Sequence, residues 1–134
     1  MKQGIQSTLK NTALKESGCY FLCLLRWAEL ERGIELDEDQ IEFIFNTARR
    51  LEYVNGNVLV LLPHEILNLC LHARHYRTIT IETKPPVKSA YVTYLTKPGF
   101  GHFILNFEGE LWDPLPPNRA GNVGYAPASY RVIT

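Results

Sequence analysis

Three short segments carry side chains that together suit catalysis by a thiol. Cys19 opens an apolar stretch, His102 follows Gly101 at the start of a β-rich run, and Asp113 lies further along before a proline. Thiol catalysis requires a nucleophile, a base that takes its proton, and a group that orients the base. These residue types therefore predict a Cys-His-Asp constellation, provided that the fold brings them together.

Cys19 is predicted to lie in the first turn of a helix. Unpaired backbone N–H groups and the positive end of the helix dipole favour a thiolate there. The same N–H groups suit the oxyanion that forms when a thiolate attacks an amide or ester. The position alone is equally compatible with a small apolar core residue, because free cysteine is often buried.

The other two cysteines are predicted to pack in the core. Cys23 lies one helical turn beyond Cys19 and is surrounded by leucines. Cys70 lies in the apolar segment Leu67-Asn68-Leu69-Cys70-Leu71. Neither environment resembles that of an activated thiol.

Metal binding is another use for cysteine and histidine. Cys70, His72 and His75 form a loose C-x-H-x2-H cluster, whereas His64 and Cys19 have no recognised zinc spacing. On a helix, residue 72 points away from residue 70. We therefore expect no metal and no other cofactor.

A hairpin register links the histidine to the aspartate. If Glu108-Gly109 forms a two-residue turn, Ile104 pairs with Asp113. Because side chains alternate along a strand, His102 shares a face with Ile104 and becomes the diagonal neighbour of the aspartate. A carboxylate there fixes the imidazole tautomer and supports its charged form. A one-residue slip gives the alternative, a surface histidine and a turn aspartate on opposite faces.

Composition limits the class of protein. The 134 residues predict a single domain spanning 1–134, and an apolar fraction of 46% allows a real core. Fourteen basic and fourteen acidic residues cancel, so nothing favours nucleic acid or an anionic membrane as partner. We see no signal-peptide core and no span-length apolar run, so we expect a soluble cytoplasmic protein without membrane insertion. Three cysteines in such a chain argue against a disulfide framework.

Hydrophobic periodicity divides the chain into a helical first half and a β-rich second half. Helices are predicted from Tyr20 to Leu30, after an Asp37 cap through Leu51, and from Pro63 to about His72. Strands are predicted at 78–83, 89–95, 102–107 and 130–133, with turns at 55–57 and 108–109 and a loop over 114–127. This order predicts an α+β domain in which a buried cysteine-bearing helix packs on a C-terminal antiparallel sheet.

The ordered motifs resemble those of papain-like cysteine peptidases, especially the compact bacterial branch that cleaves double-glycine leader peptides from bacteriocins. The chain is also similar to a spirochaete and phage-associated family of that superfamily. The matching segments are Ser17-Gly18-Cys19-Tyr20-Phe21-Leu22, Gly101-His102-Phe103-Ile104-Leu105 and Trp112-Asp113-Pro114. The resemblance implies a papain-like fold, with Cys19 as nucleophile, His102 as acid–base group and Asp113 as orienting group.

One position departs from that family pattern. Papain-like enzymes usually carry a glutamine about six residues before the cysteine as an oxyanion donor, and Ala13 stands at that offset here. Asn11, Gln6 or Gln3 would have to supply the donor if the preceding segment folds back. Loss of one such donor costs roughly 10²–10³ in rate.

We therefore expect a hydrolase that cleaves an amide bond in a polypeptide or in the peptide stem of peptidoglycan. Action on the cell wall also suits a phage-type lysin that has no signal peptide. A second hypothesis is a catalytically weak or inactive binding module, with Trp112, Leu115, Tyr125 and Tyr130 lining a peptide groove, although aromatic residues on strands are usually core. Metal-dependent hydrolysis is a third. The sequence specifies neither the substrate nor the oligomeric state.

Overall fold

A computed structural model describes residues 1–115 and 124–134. In that part of the chain the helices precede an antiparallel sheet, so the protein belongs to the α+β class, as predicted. The helical elements are a short 3-10 helix Ile5–Thr8, α1 Thr12–Ser17, α2 Cys19–Arg32, α3 Glu38–Arg50 and α4 Pro63–Leu71. The strands are β1 Ile79–Glu82, β2 Ala90–Lys97, β3 Phe100–Phe107, β4 Glu110–Trp112 and β5 Ala126–Ile133.

The three predicted helices are confirmed, and local chemistry explains their bounds. The Asp37 side chain accepts a hydrogen bond from Gln40 N at 2.8 Å, and the Gln40 side chain accepts one from Asp37 N at 2.9 Å. This capping box satisfies two backbone donors at the start of α3. Pro63 begins α4, where its missing N–H costs nothing. None of the helices in the described ranges is long and apolar enough to cross a membrane.

The loop predicted over 114–127 is wrong at its carboxyl end. Ala126 and Pro127 belong to β5, which is longer than the predicted strand. Pro127 pairs with Leu95 beside a register shift in the ladder, a place where a proline is tolerated in a sheet. Residues 116–123 of that predicted loop lie outside the described residues.

The strands form one five-stranded sheet in the order β1-β5-β2-β3-β4. Each neighbouring pair is antiparallel, and the last strand of the chain lies between β1 and β2. Pairing aligns Val92, Leu105 and Trp112 in one row across β2, β3 and β4, and all three side chains are buried in the common core. This row belongs to the face of the sheet against which the helices pack.

Helix α2 is enclosed on nearly all sides. Its Phe21 ring meets Phe45 of α3 edge-on at 5.5 Å, and Cys23 contacts the backbone of Phe103 on β3. The apolar residues that fill its interior faces are Phe21, Leu22, Leu24, Leu25, Trp27 and Ala28. A helix apolar all round must be buried, as the sequence predicted. Its first residue, Cys19, is only half-buried.

The buried carboxylate of Glu29 ties the amino-terminal segment to α2. It accepts hydrogen bonds from the Met1 amino group at 2.7 and 2.8 Å, from Leu36 N at 2.6 Å and from Arg26 at 3.1 Å. A buried charge is tolerated only when it is paired and hydrogen-bonded, and these contacts meet both conditions. The start of the chain is therefore held against α2.

The junction of α1 and α2 generates the first prediction. A Cβ on Gly18 would overlap the backbone carbonyl of Leu14. We expect Gly18→Ala to lower the free energy of unfolding by roughly 1–3 kcal/mol, because backbone must move to relieve the overlap. Urea denaturation measures this effect, with Gly56→Ala as control, since its Cβ would meet only the Arg49 guanidinium at 3.7 Å. Equal stability of the two variants would contradict the account.

Candidate active site

The β3–β4 hairpin has the predicted turn and register. Glu108 and Gly109 both have positive φ angles, 49° and 85°, as a two-residue type I′ turn requires. Asn106 consequently pairs with Leu111 on the adjoining strand. This confirms the register on which the link between histidine and aspartate depends.

His102 and Asp113 are joined by a short hydrogen bond. Nε2 of the imidazole lies 2.7 Å from Oδ1 of the carboxylate, and Leu115 N donates to the same oxygen at 2.9 Å. The His102 side chain is 2% exposed, whereas that of Asp113 is 23% exposed. The carboxylate therefore fixes the ring on one side and leaves Nδ1 as the other ring nitrogen.

Cys19 lies beside His102. It is the first residue of α2, and it lies close enough to the His102 imidazole for its thiol to raise the pKa of the ring. Cys19 is half-buried, unlike the other two cysteines, which are buried. The structure thus brings together the three residues that the sequence singled out.

The groups around His102 raise its pKa. Burial lowers its pKa, but the hydrogen bond to Asp113 and the hydrogen bond and charge of Cys19 raise it more strongly. The resulting pKa is about 9, compared with an ordinary 6.5. A pKa this high favours the imidazolium over the neutral ring at neutral pH.

The comparison with known proteins places the chain in one family, whose model covers all but its last two residues. Residues 1–132 match the family model described as "Protein of unknown function, DUF261". The chain belongs to this family. No curated protein and no solved structure matches it significantly.

The other two thiols of this DUF261 chain are buried, as predicted. Cys23 is fully buried and donates to the carbonyl of Phe103 at 3.5 Å. Burial raises its pKa well above the ordinary value, and the charges of Cys19 and Asp113 raise it further. Burial also raises the pKa of Cys70 to about 12. Neither environment favours a thiolate.

The amino-terminal segment supports the aspartate, a feature that sequence reasoning missed. Gly4 N donates to the carbonyl of Asp113 at 3.0 Å, and Gln6 N donates to that of Pro114 at 2.9 Å. These bonds hold the end of β4 against the chain that leads to α1. Periodicity does not reveal them, because the segment is neither an amphipathic helix nor an alternating strand.

The three side chains considered as oxyanion donors have different surroundings. Gln3 is exposed, and Asn11 caps α1 while bonding Glu42 at 3.0 Å. Gln6 is 2% exposed, and its Nε2 donates to the carbonyl of Lys15 at 3.2 Å. Only Gln6 among these three is therefore buried against the segment that leads to Cys19.

The remaining polar clusters lie away from this site. Across residues 1–115 and 124–134, no group of three histidine, cysteine or carboxylate side chains is arranged to hold a metal ion. His72 forms the carboxyl cap of α4 and is exposed. A cavity of about 640 Å³ lies between α2, α3 and α4, with Glu35, Phe43 and His72 in its lining. It contains none of the three candidate residues.

The raised pKa of His102 predicts a pH-dependent stability. The folded protein keeps the proton until about pH 9, whereas the unfolded chain releases it near 6.5. This contribution is fully present below pH 6.5 and is lost as pH rises to about 9, a change on the order of 2–3 kcal/mol. Urea denaturation at pH 6 and pH 9 measures it, with His102→Gln as the comparison. Equal pH dependence in both proteins would contradict it.

Proposed function

We propose that this protein is a cysteine hydrolase that cleaves amide bonds in peptides. Cys19 is the nucleophile, His102 is the acid–base group and Asp113 orients His102. The observation that carries the proposal is an imidazole held by a carboxylate at 2.7 Å on Nε2, whose pKa is raised both by that carboxylate and by the half-buried Cys19 thiol. A nucleophile, a base and an orienting group in this order meet the requirements of thiol catalysis.

The proposed reaction begins from a Cys19 thiolate beside a His102 imidazolium. The sulfur attacks the carbonyl carbon of the substrate, and His102 gives its proton to the leaving amine as the C–N bond breaks. A thioester to Cys19 remains. Water then attacks this thioester, His102 takes the proton from the water, and the carboxylic acid product leaves as the Cys19 sulfur is released.

The oxyanion of the tetrahedral adduct needs hydrogen-bond donors. Backbone N–H groups in the first turn of α2 have no partner within the helix and suit this role. We propose Gln6 as the side-chain donor. Its buried amide uses one hydrogen for Lys15 and retains a second.

The proposal includes a papain-like fold. Support comes from a nucleophile at the start of a buried helix, an acid–base residue on the strand against which that helix packs, and an orienting residue directly after the next strand. The substrate class that we propose is a polypeptide or the peptide stem of peptidoglycan.

A non-catalytic binding module is the alternative. The groove predicted for it included Trp112, which is buried and belongs to the core. Tyr125 is half-buried, with its ring centre 5.8 Å from that of His102. A binding module has no need of an activated thiol, so thiol reactivity separates the two hypotheses.

Alkylation by iodoacetamide at pH 6 tests the proposal. We expect Cys19 to react at least about tenfold faster than a free thiol, because an ordinary thiol is almost entirely protonated at that pH. His102→Gln should remove this advantage. Cys23 and Cys70 should react only after unfolding, since both are buried. Peptide mass spectrometry identifies the modified cysteine.

Two controls accompany this measurement. His75→Gln replaces an exposed histidine and should leave the rate at Cys19 unchanged. Cys19→Ala should remove all rapid alkylation of the folded protein. A rate at Cys19 equal to that of a free thiol would overturn the proposed function.

A further inference from the structure

A cluster of aromatic side chains lies beside the start of α2 on the helix-facing side of the sheet. Tyr20, the next residue in α2, stacks on Phe103 with 4.3 Å between ring centres, and Phe103 lies 4.7 Å from Tyr94 on β2. Arg131 on β5 places its guanidinium carbon 5.3 Å from the centre of the Tyr94 ring and 5.5 Å from that of Phe103. We call these four residues the aromatic shelf.

Strand pairing explains why the shelf residues share a face. Tyr94 pairs with Phe103, and Val92 pairs with Arg131. Because alternate residues share a face, Arg131 lies on the same side of the sheet as Val92 and Tyr94. Val92 is fully buried under the helices, whereas Tyr94 and Arg131 are half-buried. The shelf residues Tyr94 and Arg131 therefore lie at the margin of the area that the helices bury.

Arg131 retains guanidinium N–H groups that can donate further hydrogen bonds. Its Nη1 donates to the Ser129 hydroxyl at 2.6 Å, which uses one of five guanidinium N–H groups. Within residues 1–115 and 124–134, no carboxylate lies within ion-pair distance of Arg131. A guanidinium that stacks on aromatic rings keeps its N–H edge available for a carboxylate.

Tyr20 adds a second donor without an acceptor. Its hydroxyl is buried and has no hydrogen-bond partner in the described part of the chain. Burial raises the pKa of this phenol, and the nearby charge of Arg131 lowers it. Because the Tyr20 hydroxyl is buried, the remaining guanidinium N–H groups of Arg131 are the donors that a substrate carboxylate would complement in charge and hydrogen bonding.

We propose that Arg131 binds a carboxylate of the substrate, so that the cleaved peptide carries a glutamate, an aspartate or another free carboxyl group beside the scissile bond. The inference rests on the proposed function, because it places this carboxylate on the shelf next to Cys19. The planar guanidinium sets the geometry, since two parallel N–H groups match the two oxygens of a carboxylate. Arg131 is therefore a specificity-determining residue rather than a catalytic one.

Peptidyl vinyl sulfones test the inference through covalent labelling of Cys19. The probes are tripeptides that carry glutamate or its neutral isostere glutamine at each of the three positions in turn. At one of the three positions we expect the glutamate probe to label Cys19 at least roughly 10-fold faster than the matching glutamine probe, because hydrogen bonds between charged groups are stronger than neutral ones. Arg131→Gln should abolish this preference, and Arg131→Lys should retain part of it because the charge remains.

Matched variants separate a specific effect from a general one. Arg77→Gln removes an exposed arginine ahead of β1 and should keep the full glutamate preference. The glutamine probe serves as a control for the integrity of the site. If Arg131→Gln and the unchanged protein are labelled by it at the same rate, the variant retains a reactive Cys19. Persistence of the glutamate preference in Arg131→Gln would overturn the inference.

The remaining outcomes distinguish the two proposals. If Cys19 is labelled but glutamate and glutamine probes react equally at every position, the carboxylate inference fails and the hydrolase proposal stands. If no peptidyl probe labels Cys19 and iodoacetamide reacts with it only at the rate of a free thiol, the proposed function fails as well.

Discussion

The pairing of β3 with β4 fixes the candidate site, because it decides whether Asp113 faces His102. A shift of one residue would move the carboxylate to the other side of the sheet. The turn at Glu108 and Gly109 prevents this shift, since two consecutive positive φ angles match the twist of a two-residue hairpin. Glu108 adopts that conformation without the freedom of glycine, and its backbone N–H is held by the Ser89 carbonyl at 2.6 Å.

Because His102 is buried, its pKa depends strongly on the groups that contact it. His102 is almost completely removed from solvent, which by itself would favour the neutral ring. Asp113 and Cys19 nevertheless raise its pKa, so the three groups form one coupled unit. Helix α2 determines which thiol joins that unit. Cys23, one turn further into the enclosed helix, bonds a backbone carbonyl instead.

Local signals predicted much of this arrangement. The Asp37 cap, Pro63 at the start of α4, and the Glu108–Gly109 turn each act over a few residues, so the sequence reports them directly. Other features arise from contacts between distant segments: β5 lies between β1 and β2, and Gly4 bonds Asp113. The shelf is of this second kind. Arg131 reaches Phe103 only through sheet pairing, which no local pattern reveals.

The protonation state of His102 tests the central claim most directly. NMR spectra of protein labelled with ¹⁵N in its histidine rings distinguish imidazolium from neutral imidazole, and His102→Gln assigns the signals among the four histidines. The account predicts that His102 stays protonated on both nitrogens through neutral pH and titrates near 9, and that Asp113→Asn lowers this value. Titration near 6.5 in the unchanged protein would contradict a site in which Cys19 and Asp113 act together on His102.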